Sequence, residues 1–349
     1  MNNAKIVRYL SSTVRIALCI SLLACLFKQI GTKNLFEVFL KANSHWFWLS
    51  LGIMMTFLGL ATGALRWKRI LDARGILIST PRVTQIFLVG QFFNAFMLGA
   101  CGGDVARAYY AAKGQKEKRT EAAITIVMDR AIGLFTMILF CCLMIFVRIN
   151  VFLDNEGPRD TGFLMLFFMA VSIIGMFVIF RHNLFERFSL FSRLENSSRF
   201  GFMIRRIYEA IYIYRHHHRL ILICMLFSVF SMAFLTLACW SFGRALELKV
   251  HMLDYFALFP VISVLMSVPI TPGSLGVRES LFVSLFRSVM VDKSHAVFLS
   301  LLVYGGGVFW SLAGGFVYLV MGTTGGGKLP ETLSSLQDGP TETNEQDHP

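Results

Sequence analysis

Charge is what this chain lacks most. Asp, Glu, Lys and Arg make up 15% of its 349 residues, where soluble globular proteins carry about a quarter. A surface so poor in charge does not suit an ordinary cytosolic enzyme. Proline is rare, with 8 residues, and the 7 cysteines (19, 25, 101, 141, 142, 224 and 239) lie in or beside apolar runs without a CxxC spacing. That excludes metal or redox chemistry of the CxxC kind and leaves them as packing thiols. GxSxG and HExxH are absent, as is any hydrophilic stretch long enough for a catalytic domain. What is abundant is apolar bulk: 34 Phe, 17 Met, 55% hydrophobic residues and a mean hydropathy of +0.62. Lipid accepts such side chains over a whole surface, whereas water does not.

A helix needs about 20 apolar residues to cross the hydrocarbon. Residues 45–65, 122–147, 162–180, 219–242 and 295–321 qualify. A weaker run over 12–30, with Lys5 and Arg8 before it and no small-residue cleavage pattern after it, reads as an uncleaved first helix. Trp46 and Trp48 open the second span and Arg66, Trp67, Lys68 and Arg69 close it, the aromatic and basic framing of two interfaces. Two more apolar stretches are irregular. Residues 83–103 carry Gln85, Gln91, Asn94 and four glycines, and residues 255–291 are broken by Pro269, Pro272, Gly273 and Gly276 into arms too short to cross alone. Hydropathy alone allows up to eight spans.

The net charge of +12 tests these alternatives, because basic loops stay in the cytoplasm. Loops 66–82 and 104–121 hold five basic residues each and loop 181–219 holds eight arginines. All three share one side only if 83–103 enters and leaves on that side. The other loops hold eight basic against seven acidic residues, as external loops should. The expected fold is therefore an all-α integral membrane protein of about six full spans plus two re-entrant hairpins, with both termini cytoplasmic. Span, hairpin, span over 45–147 recurs with opposite orientation over 219–321, an inverted repeat. Irregular backbone in such an arrangement must line a cavity or be buried in protein, because lipid cannot satisfy it, so the two hairpin tips are expected to meet. Residues 1–328 form the membrane domain, with 181–219 as a basic cytoplasmic segment, and 329–349 read as a disordered acidic tail.

The first tip ends in Gly102-Gly103-Asp104-Val105-Ala106-Arg107, where Asp104 could cap a helix starting at Val105 and place Arg107 in its first turn. Free amides and a guanidinium there make a phosphate seat; the alternative is that Asp104 only caps and Arg107 only reaches the interface. The second tip puts Arg278 and Glu279 between apolar arms, where ionisable groups are expensive. They are either functional or a buried structural ion pair. Asp129 and Arg130 lie two turns into the next span and either line the same cavity or pair with Asp104 and Arg107 to pin the hairpin. Asn94 is a further lining candidate, though it and Gln91 suit satisfaction of hairpin backbone better. His216–His218 lack a completing ligand set and read as part of a basic interfacial helix over 200–218. Gly322–Lys328 lacks the Ser or Thr of a phosphate-binding loop. Gly305–Gly307, Gly314 and Gly315 read as close helix packing. No cofactor or metal is expected.

Asn94 to Arg107 with its Gly-Asp-x-x-Arg ending, Arg66-Trp67-Lys68, Asp129-Arg130, and Pro269 to Glu279 with Pro-Gly-x-x-Gly-x-x-Glu resemble the lysylphosphatidylglycerol synthase transmembrane family over about residues 10–322. The resemblance implies a flippase-like domain. Larger members join it to a soluble aminoacyl transferase that this chain lacks, so the synthase activity is not implied. Other members occur in contexts of polyprenyl-linked sugars and hopanoids, which leaves the substrate open. The reading that follows is movement of an anionic or zwitterionic lipid, or lipid-linked head group, across the bacterial inner membrane. Arg107 and Arg278 would hold phosphate, and Glu279, Asp104 and Asp129 would balance those charges, receive a cationic part of the head group, or carry a coupling proton. The alternative is a membrane-embedded enzyme, or an accessory subunit of a synthase or glycosyltransferase, acting on polyprenyl phosphate or glycolipid. Nucleic acid is not an expected partner, because the positive charge already has an orientational reason.

Overall fold

A computed structural model describes residues 45–96, 102–113, 118–153, 156–180, 218–267 and 276–324, and every regular element among them is helical. In order these are α1 (Trp46–Ala73), α2 (Thr80–Phe96), α3 (Gly102–Ala111), α4 (Arg119–Val147), the short α5 (Ile149–Leu153), α6 (Glu156–Phe180), α7 (His218–Ala245), α8 (Met252–Met266), α9 (Val277–Phe286) and α10 (Lys293–Thr324). Four of them, α1, α4, α7 and α10, are long and apolar enough to cross a membrane; α6 has 25 residues. This is an all-α membrane protein. The helix over 12–30, the basic segment 181–217 and the tail from 325 lie outside the described residues.

The helix lengths repeat: 28, 17, 10 and 29 residues in α1 to α4, then 28, 15, 10 and 32 in α7 to α10. α1 and α7 run antiparallel in close contact. His45 pairs with Glu247 at one end, Gly52 lies under Phe242 and Gly59 under Leu235 in the middle, and the Arg66 guanidinium reaches Ser228 toward the other.

Between these long helices each half folds a helical hairpin. In the first, the backbones of Gly90 and Gly103 meet so closely that a Cβ on Gly103 would lie 2.0 Å from the Gly90 carbonyl oxygen. Only glycine permits that approach. The Asn94 side-chain oxygen accepts the Gly103 N–H at 3.0 Å, which satisfies one of the free amides that open α3. Both outer ends of this hairpin lie together, since Lys118 Nζ donates to the Gly75 carbonyl at 2.8 Å and Arg74 faces Glu121 at 3.2 Å. In the second, Tyr255 meets Phe286 and Phe259 meets Phe282, so α8 and α9 also double back. Its outer end sits at the opposite end of the bundle, where Arg148, just after α4, pairs with Asp254. The hairpins thus enter from opposite ends.

Pro260 within α8 removes one helical hydrogen bond, and α8 is held instead by packing: Tyr255, Ala257, Leu258, Val261 and Ile262 are fully buried in the largest core cluster. α10 joins the halves. Its Gly314 rests on the Leu88 carbonyl of α2, where a Cβ would lie 2.1 Å away, and Gly315 rests on Phe92. The expected close packing holds at Gly306, Gly314 and Gly315 but not at Gly305 or Gly307, where a Cβ would meet nothing within 4 Å.

Candidate functional site

Among the described residues, a group of ionisable side chains lies inside the bundle at each hairpin, apart from the Arg148–Asp254 pair at its end. Around the first, Asp129 of α4 is 2% exposed. Its Oδ1 accepts from Arg66 Nε of α1 at 2.7 Å and its Oδ2 from Arg107 Nη2 of α3 at 3.0 Å. Arg66 Nη1 donates onward to Ser228 of α7 at 2.8 Å. Arg107 also lies over the rings of Trp67 (4.3 Å) and Phe87 (4.5 Å), an arrangement in which aromatic faces supply part of the attraction that water would have given the cation. Asp104 takes Arg130 Nε at 2.6 Å and lies 3.7 Å from Arg107. One buried network therefore ties α1, α3, α4 and α7 together.

Two sequence expectations change here. α3 begins at Gly102 and not Val105, so Asp104 sits within the first turn and pairs with arginines; the amide of Gly103 is taken by Asn94 instead. Arg66, expected as an interfacial closing charge, is an inward partner of Asp129.

The second group is smaller. Arg278 of α9 is 1% exposed. Its Nε donates to Ser300 of α10 at 2.9 Å, its Nη2 to Glu279 at 2.5 Å, and its guanidinium lies 4.1 Å from the Tyr304 ring centre. Its Nη1 is buried without a hydrogen-bond partner. Glu279 is also the cap of α9, its Oε2 accepting from Gly276 N–H at 2.6 Å, where Gly276 adopts φ +83°. A buried charged donor left unmade costs about 1–3 kcal/mol or more, a cost removed when an acceptor arrives.

Both hairpins line one cavity of about 490 Å³. Gln91, Asn94 and Ala95 come from α2, Ser263, Met266 and Ser267 from the end of α8, Arg278 from α9, and Tyr304, Gly307 and Ser311 from α10. Leu60, Phe259, Phe282, Val303 and Val308 make the rest apolar. Asn94 and Arg278 are thus brought to one wall space, while Arg107, Asp104, Asp129, Arg130 and Glu279 are not among its described lining. Ser263, Ser267, Tyr304 and Ser311 escaped sequence reasoning, because single hydroxyls in apolar helices carry no pattern of their own. Ser263 and Ser267 had one signal, their closeness in sequence to the second break; Tyr304 and Ser311 had none. No group of three or more His, Cys, Asp or Glu residues placed to hold a metal occurs among the described residues.

The family model of the lysylphosphatidylglycerol synthase TM region matches residues 12–315. The chain belongs to this family. No curated protein and no solved structure gives a match. Membership of the lysylphosphatidylglycerol synthase TM family gives the site a lipid-related setting, and the match carries no soluble transferase domain. Both hairpins and both ionic groups fall inside the matched residues.

Proposed function

We propose that this protein moves the phosphate-bearing head group of an anionic or zwitterionic lipid, or a lipid-linked group, between the leaflets of the bacterial inner membrane. The head group passes through the cavity between the two hairpins. The observation that carries this reading is Arg278: a buried guanidinium on a cavity wall with one donor unfilled. A phosphate oxygen is the acceptor such a donor suits best.

The ionic groups divide the work. Arg278, and Asn94 through its amide hydrogens, contact the head group, while Tyr304 stacks on the guanidinium. Arg107, Arg66, Asp129, Asp104 and Arg130 hold the first hairpin against α1 and α4. The mostly apolar wall lets acyl chains stay in lipid beside the passing head group. Opposite entry of the hairpins brings described residues of α2, α8 and α9 to one cavity, the arrangement that transporters with inverted repeats use for a binding site.

Reconstitution into liposomes with trace fluorescent phospholipids tests this. Native protein should expose inner-leaflet label to an external quencher, and Arg278→Ala should slow that by about tenfold or more, the worth of one hydrogen bond to a charged group. Equal rates for native and variant would remove Arg278 from the site, and no movement with native protein would remove the translocation reading.

A further inference from the structure

Resting on that translocation reading, we infer that Ser300 and Tyr304 of α10 are positioning residues. They hold the Arg278 guanidinium in one orientation at the cavity wall, so that the site needs a directed N–H and not only a positive charge. The phosphate-bearing head group then meets a donor that was fixed before it arrived.

A guanidinium is planar, with its N–H groups in a rigid fork. Two anchored nitrogens and one supported face are enough to fix the third nitrogen. Arg278 has all three restraints. Its Nε donates to Ser300 Oγ at 2.9 Å, its Nη2 donates to the Glu279 carboxylate, and its Cζ lies 4.1 Å from the Tyr304 ring centre. Nη1 is the nitrogen left without a hydrogen-bond partner. Arg278 and Ser300 are both buried, where a hydrogen bond to a charged group is stronger than it is in water.

The restraints come from two helices. Glu279 is next to Arg278 on α9 and moves with it, whereas Ser300 and Tyr304 lie one turn apart on one face of α10. α10 is also the helix whose Gly314 and Gly315 rest on Leu88 and Phe92 of α2. The orientation of Arg278 is therefore set relative to the first hairpin, whose Asn94 lines the same cavity. A loose arginine loses rotamer freedom when it closes on a phosphate. Arg278 gives up that freedom on folding, so less is lost on binding. Lysine cannot take its place, because an ammonium on a flexible stem neither reproduces the fork nor lies flat on a ring.

The test is retention of lipid by the detergent-purified full chain, read by native mass spectrometry with phosphatidylglycerol and with diacylglycerol of the same acyl chains as a phosphate-free control. The ratio of the two is the readout. Damage to packing lowers both alike, whereas a misdirected guanidinium lowers only the phosphate-bearing lipid. Native protein should retain phosphatidylglycerol at least tenfold better than diacylglycerol. Ser300→Ala, Tyr304→Leu and Arg278→Lys should each cut that ratio by about tenfold, the worth of one hydrogen bond to a charged group. Tyr304→Phe, which keeps the ring face, should recover at least half of the native ratio. An undiminished ratio in Arg278→Lys or Ser300→Ala would overturn the positioning role, and equal losses in Tyr304→Phe and Tyr304→Leu would overturn the part given to the ring. The liposome assay keeps this apart from translocation. The expected ratios without movement of label would remove translocation and leave the positioning standing. Movement of label by native protein with no preference for phosphatidylglycerol would do the reverse.

Discussion

Asp129 serves two arginines at once, and that sets its worth. Removing a carboxylate from between Arg66 and Arg107 leaves two largely buried cations facing each other, and breaking a buried pair from one side costs about 3–5 kcal/mol. Asp129→Ala should therefore lower the unfolding temperature in detergent sharply. Arg130 is different: half of its side chain is exposed although it lies 2.6 Å from Asp104, and exposed pairs contribute up to about 1 kcal/mol. Arg130→Ala should leave the melting curve near that of the native protein. Comparable losses in the two variants would contradict the assignment of Asp129 as the hub. At this scale the sequence was half legible. Arg107, Asp129, Arg278 and Glu279 stood out because charge in an apolar run is costly. Arg66 did not, because at the end of a span an arginine looks like an interfacial anchor, and only the packing of α1 on α7 and α4 turns it inward.

At the scale of elements, the hairpins depend on backbones that touch. A methyl at Gly103 or Gly314 would press on a carbonyl oxygen at 2.0 or 2.1 Å, and neither partner is a side chain that can swing away. Gly103→Ala and Gly314→Ala should each destabilise by about 1–3 kcal/mol or more, the usual range for overpacking. Gly307→Ala should not, because nothing lies within 4 Å of the added methyl; instead it narrows the cavity that Gly307 lines. Thermal unfolding of the three variants checks this, and a stable Gly103→Ala would contradict the close approach of α2 and α3. That the chain doubles back after α2 and after α8 was readable from glycine and proline. The partners met there were not, since Ser300 and Tyr304 reach Arg278 through the fold and not through any spacing along the chain.

For the whole molecule, the central feature is opposite entry of two similar hairpins. The distribution of basic loops along the sequence points to it, and contacts such as Lys118 with Gly75 and Arg148 with Asp254 place the two hairpin mouths at opposite ends of the bundle. Sidedness follows. Cysteines introduced at the exposed Leu77 and Lys113 should react with a membrane-impermeant thiol reagent from one side of the membrane, and one at the exposed Met290 from the other. Labelling of all three from the same side would break the inverted repeat. What the sequence could not supply was the meeting point, because a cavity shared by α2, α8, α9 and α10 depends on the register of four helices at once.

The most direct measurement of the central claim is the position of lipid phosphate in the protein, obtained by electron cryomicroscopy of the full chain in phosphatidylglycerol nanodiscs. The account predicts a head group inside the cavity, with a phosphate oxygen within hydrogen-bonding distance of Arg278, about 2.7–2.9 Å for a charge-assisted bond, between the ends of α2 and α8. A well-resolved cavity without a head group, with lipid phosphates confined to the two membrane surfaces, would contradict it.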